Sequence, residues 1–146
     1  MITQILLGIL LISATVVIHA VGTISVVPTL RRVAKLVIGD RGQVARVGFT
    51  IIIILWLFVL HTLEVWLWAG VYWRLTDLPD FETALYFSTV SFTTLGYGDV
   101  VLDANWRFLS ALQATNGILL FGWSTAFLFA VVRRVWDAEM SERAES

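Results

Sequence analysis

The heptapeptide Thr93-Thr94-Leu95-Gly96-Tyr97-Gly98-Asp99 lies between two strongly apolar stretches, and the rest of the chain is read outward from it. Gly96 and Gly98 alternate with bulkier residues, so the backbone can enter the left-handed region at every second position. Such alternation can turn successive carbonyls toward one side, unlike an ordinary strand. Thr94 can add a hydroxyl oxygen in line with them. A row of oxygen dipoles without fixed charge can replace the hydration shell of a monovalent cation and still release it.

These seven residues resemble the selectivity-filter signature of potassium channels. Leu95 stands where that family often has Val or Ile, a mild change if its carbonyl faces the ion and its side chain the packing behind. The resemblance covers about residues 81–135 and thins over residues 47–75. It implies an all-α membrane protein with three transmembrane helices, a re-entrant pore helix and a filter loop, four chains sharing one axis. It also implies that Thr94, Leu95, Gly96 and Tyr97 give K+ their carbonyls, Thr94 adding its hydroxyl. Thr93, Gly98 and Asp99 would then support the filter, with K+ as the permeant ion. The rival reading is a Gly-rich loop in some other membrane protein, and the apolar flanks weigh against it.

Composition points the same way. The chain has 146 residues, 58% hydrophobic and 14% charged, with seven Trp, more apolar surface than a soluble domain of this size needs. Mean hydropathy is +0.84. A net charge of −1 argues against a nucleic-acid partner, and the absence of Cys is read as excluding disulfide, zinc and redox chemistry. Three parts are expected: residues 1–46, an extra transmembrane helix and basic linker; residues 47–136, the pore domain; residues 137–146, a short frayed tail.

Residues 2–27 carry no charged side chain unless His19 is protonated, and they are long enough to span a bilayer. A cleaved signal peptide is disfavoured by the missing basic start and by the length of the apolar stretch. Gln4, Ser13, Thr15 and His19 read as polar points bonded to their own backbone or a neighbouring helix. Pro28 reads as the end of the segment. Arg31, Arg32, Lys35, Arg41 and Arg46 follow against Asp40 alone, which puts residues 28–46 in the cytoplasm and the N-terminus outside, in the plasma membrane. Leu30, Val33, Leu36 and Val37 fall at helical spacing, so a short surface helix is expected, with Arg31, Arg32 and Lys35 open to anionic lipid. Gly39-Asp40-Arg41-Gly42 reads as a turn.

Residues 47–73 form the second span, running outward to an aromatic belt of Trp66, Trp68, Tyr72 and Trp73. Within it His61 and Glu64 lie three apart on one helical face. Intramembrane ionisable groups are costly and mark function by default. Two readings stay open for Glu64: a pH-sensitive element coupled to the pore, or a buttress held by His61 or by Ser88 or Ser91. Residues 81–92, capped by Asp80, are too short to cross and must re-enter, aiming a negative helix end at the axis. Asp99 and Asp103 would raise cation concentration at the outer mouth. Asn105 reads as the next helix cap and Trp106 as an interfacial anchor.

Residues 106–135 form the last span, returning to the cytoplasm at Arg133 and Arg134. Gly122, Ala126 and Ala130 make a small-residue row for close helix packing. Ala114, Gly117, Phe121, Thr125 and Leu128 fall on another face, assigned to the cavity, with Asn116 either beside them or behind the filter. Gly117 and Gly122 are both hinge candidates. No span carries an arginine ladder, and no nucleophile–base pair or metal cluster points to an enzyme. The expected function is passive K+ conduction by a homotetramer. The alternatives are a weakly selective cation channel and a non-conducting subunit that modifies a partner channel.

Overall fold

The computed structural model describes the backbone of residues 1–38 and 42–145, and side chains for residues 1–30, 32 and 44–133. Among the described residues there are four α-helices: α1 (Ile2–Ile38), α2 (Gly42–Leu75), α3 (Phe81–Phe92) and α4 (Arg107–Glu145). Three of them, over Ile2–Leu30, Val44–Leu75 and Arg107–Arg133, are long and apolar enough to cross a membrane. At about 1.5 Å per residue α3 spans only about 18 Å, well short of a bilayer core of about 30 Å. This is an all-helical protein of the membrane.

α1 lies against α2 and α4, and α3 is wedged between α2 and α4. The long helices need no capping charge to persist in lipid, since helical bonding satisfies every backbone group that water would otherwise serve. Their hydroxyls do the same, as when Ser13 donates to Ile9, Thr15 to Leu11 and Thr23 to His19 carbonyls one turn back. Leu6, Leu10, Ile52, Phe58, Ile118 and Phe129 are each more than half exposed, apolar faces suited to lipid or to further protein.

The packing holds α3 in place. Trp68, Tyr72, Ala84, Phe87, Leu109 and Leu11 form one buried cluster joining all four helices, in which the Tyr72 and Phe87 rings meet edge to face at 5.1 Å. A buried polar chain runs through the same layer. Tyr72 donates to Gln113 Oε1 (2.9 Å), Gln113 Nε2 donates to Ser88 Oγ (2.7 Å), and Ser88 donates to the Val65 carbonyl (2.8 Å).

Four expectations need correction. Pro28 does not end the first segment; it sits inside α1. Proline removes a single helical hydrogen bond, whereas a break in apolar surroundings would orphan several groups. Leu30 beyond it is buried against Phe49, Ile53, Leu57 and Leu60 of α2, which holds the helix on course. Arg31, Arg32 and Lys35 therefore lie on the last turns of α1 rather than on a separate short surface helix. Arg32 is exposed, while the side chains of Arg31 and Lys35, and the turn at 39–41, fall outside the described residues. The aromatic belt is only half a belt: Trp68 and Tyr72 are fully buried, because their helical face meets α3 and α4. Trp66 and Trp73 stay exposed and clasp Phe81, ring centroids 5.9 and 5.8 Å away. Asp103, not Asn105, organises the start of α4, its Oδ1 accepting from the N–H groups of Asn105 (2.6 Å) and Trp106 (3.1 Å). The stretch expected as a frayed tail continues α4 to Glu145.

Candidate ion-coordinating site and the polar cluster behind it

α3 begins on Asp80, whose carboxylate accepts the Thr83 N–H at 2.7 Å. That bond holds the Asp80 carboxyl below its ordinary range. The helix ends by handing its last carbonyls to the loop. Thr93 N–H donates to Thr89 O, Thr94 N–H to Ser91 O, and the N–H groups of Leu95 and Gly96 share Val90 O at 3.0 and 3.3 Å. The start of the heptapeptide is thus bolted to the C-terminal turn of α3, where the helix dipole is negative.

Left-handed backbone then recurs at alternate residues: Thr94 (φ 60°), Gly96 (φ 55°) and Gly98 (φ 77°). The two glycines were legible in sequence. Thr94 was not, since a β-branched residue avoids this region and holds it at a cost of about 1–3 kcal/mol. Among the described residues, none of the carbonyls of Thr94, Leu95, Gly96 and Tyr97 accepts a hydrogen bond. Thr93 to Asp99 are all exposed in the single chain, Leu95 and Tyr97 by more than half. The stretch therefore offers consecutive free oxygens on an uncovered flank of the molecule.

Asp99 braces the outer end. Its Oδ2 accepts the Tyr86 hydroxyl of α3 at 2.6 Å and its Oδ1 the Val100 N–H at 3.0 Å. The Tyr86 bond is the main reason its carboxyl lies below the ordinary value of 3.8. At the inner end α4 presses on α3. A methyl group at Gly117 would run into the Phe92 carbonyl, so this glycine serves a close approach of two backbones. Gly122 has open space around it within the chain, and Ala126 and Ala130 below it are likewise exposed.

The face assigned to a cavity divides. Phe121 and Thr125 remain exposed, Thr125 bonding to the Phe121 carbonyl one turn back. Leu128 instead packs with the α1–α2 cluster. Asn116 does not face a cavity either. It is fully buried and donates Nδ2–H to Thr15 Oγ1 of α1 at 2.8 Å, because α1 covers that side of α4.

Behind this layer lies a cluster that spacing revealed only in part. Glu64 Oε1 is 2.8 Å from His19 Nδ1 and Glu64 Oε2 is 2.9 Å from His61 Nδ1. Ser124 Oγ is 2.9 Å from His61 Nε2 and 3.2 Å from His19 Nε2. Glu64, two imidazoles and one hydroxyl thus close a ring across α1, α2 and α4. His61 is the partner that helical spacing indicated. Neither hydroxyl expected as an alternative, Ser88 or Ser91, reaches Glu64; Ser88 bonds to Val65 and Gln113 instead. His19, expected to bond to its own backbone or a neighbouring helix, meets two neighbouring helices, at Glu64 of α2 and Ser124 of α4, and spacing alone gave no sign that Glu64 is its partner. Trp56 adds a second tie between α1 and α2, donating to the Gly22 carbonyl at 3.1 Å.

Residues 49–134, more than half of the chain, match a family described as "Ion channel". No curated protein and no solved structure matches the chain.

Proposed function

The chain belongs to this ion-channel family, and from that premise we propose that four copies form a potassium-selective channel conducting K+ passively down its electrochemical gradient. The observation that carries the reading is the alternation of left-handed backbone at Thr94, Gly96 and Gly98 together with the unpaired carbonyls between them. K+ is the cargo. Thr94 offers it carbonyl and hydroxyl oxygens, and Leu95, Gly96 and Tyr97 offer carbonyls; these dipoles offset dehydration, and repulsion between neighbouring ions drives exit. Gly98 permits the outer turn, Thr93 anchors the base through its bond to Thr89, and Asp99 is held by Tyr86 at the mouth.

One chain supplies one strand of oxygens, and an ion needs a ring, so a closed symmetric assembly is required. The exposed flank of Leu95 and Tyr97 and the open row at Gly122, Ala126 and Ala130 support contact with neighbouring copies. Phe121 and Thr125, exposed below the filter, line the cavity in this reading. The charge pattern supports an outside N-terminus and a cytoplasmic C-terminus in the plasma membrane, with Arg31, Arg32 and Lys35 near anionic lipid.

The deciding experiment uses purified protein in liposomes. Flux with K+ that falls at least tenfold when Na+ replaces it, from a particle of four chains by native mass spectrometry, is the expected result. Equal K+ and Na+ flux would leave a weakly selective cation channel. A correctly inserted tetramer with no flux at all would leave a non-conducting partner subunit.

A further inference from the structure

We propose that His19, His61 and Glu64 form a binding site for one divalent transition-metal ion of the zinc class, joining α1 to α2, with Ser124 orienting both imidazoles. The ligand atoms of the three side chains lie within 4.8 Å of one another. Two imidazoles and a carboxylate are a recurrent three-ligand set for such ions, leaving a fourth position open. The absence of Cys spoke against zinc; this set needs no thiolate.

The placement favours a metal over an accidental cluster. Glu64 and His19 have fully buried side chains, and His61 is 13% exposed, which leaves one edge for entry. Zinc bonds of about 2.0–2.2 Å set ligand atoms roughly 3.3 Å apart, so the carboxylate–imidazole pairs, now 2.8 and 2.9 Å, open only slightly. Residues 2–30 of α1, 47–73 of α2 and 108–132 of α4 carry no other Asp, Glu, Lys, Arg or His. Any countercharge to Glu64 must therefore come from its own imidazoles or from a bound ion. Phe92 and Phe121 stand 5.8 and 4.7 Å from the His61 ring, and Trp123 5.6 Å from His19, packing apolar rings around the site.

Ser124 Oγ faces Nε2 of both imidazoles, at 2.9 and 3.2 Å. A metal on both Nδ1 atoms leaves each imidazole one proton, on Nε2. Both N–H groups then point at the Ser124 oxygen, whose two lone pairs accept them. That is the outer partner a ligating histidine requires.

The test uses tag-free, full-length protein in lipid nanodiscs, stripped with chelator and equilibrated with Zn2+, and reads binding without any flux assay. One Zn2+ retained per chain, a higher melting temperature, and visible absorption bands when Co2+ is used instead are expected. Ser124→Ala keeps the three ligands and should weaken affinity about 10–100-fold; His19→Gln with His61→Gln should abolish binding. Wild-type protein that retains no Zn2+ after reloading, or retains as much as the double variant, overturns the proposal.

Discussion

At Thr94 a β-branched side chain sits at φ 60°, flanked by glycines that adopt the same hand two and four residues later. The glycines announced the alternation because only they enter that region freely; the threonine is forced into it by bonds to the end of α3. Gly96→Ala should therefore reduce K+ flux to the background of empty liposomes. Yield and membrane insertion should be unchanged, since a methyl at φ 55° costs about 1–2 kcal/mol locally and touches no core residue. Tyr86 and Asp99 give a pH dependence with a definite sign. The bond lowers the Asp99 carboxyl below 3.8, so its stabilisation is present above that value and is lost as pH falls through the lowered folded value. External acidification should diminish flux with a midpoint below pH 3.8, and Tyr86→Phe should move that midpoint to higher pH, as recorded in a pH series of liposome flux. His19 shows the limit of spacing: His61 and Glu64 share one helix and were paired by periodicity, while a partner 45 residues away is joined only by packing.

Among the elements, α3 was the most legible, from its Asp80 cap to its short length, because capping and length are local properties. The end of α1 was misread, since Pro28 is a local signal that docking of Leu30 on α2 overrides. The two glycines of α4 looked alike in sequence and have different surroundings. Gly117→Ala drives a methyl into the Phe92 carbonyl, which cannot yield as a side chain would, and should lower stability by about 1–3 kcal/mol in a detergent melting experiment. Gly122→Ala meets nothing within the chain, so melting of the single subunit should be unchanged. Its effect should appear only in the tetramer fraction seen by native mass spectrometry.

For the molecule as a whole, composition and three apolar stretches identified a membrane protein, but nothing in them located α1, because lipid-facing residues carry no record of their neighbours. The structure seats it against both α2 and α4, with Gly22 pressed on Leu60 and its carbonyl bonded to Trp56. Gly22→Leu should push α1 away, lowering the melting midpoint and shifting tryptophan fluorescence to the red as Trp56 loses its partner, while residues 49–134 still insert. The order of the ring along the chain also bears on how the protein is made. His19 and His61 both precede Glu64, so the carboxylate meets its two partners as soon as the second helix leaves the ribosome and docks on the first. Glu64, the one buried acidic side chain among the described residues, need never face lipid alone during synthesis. Only Ser124 arrives late, and it closes a ring whose other three members have already met.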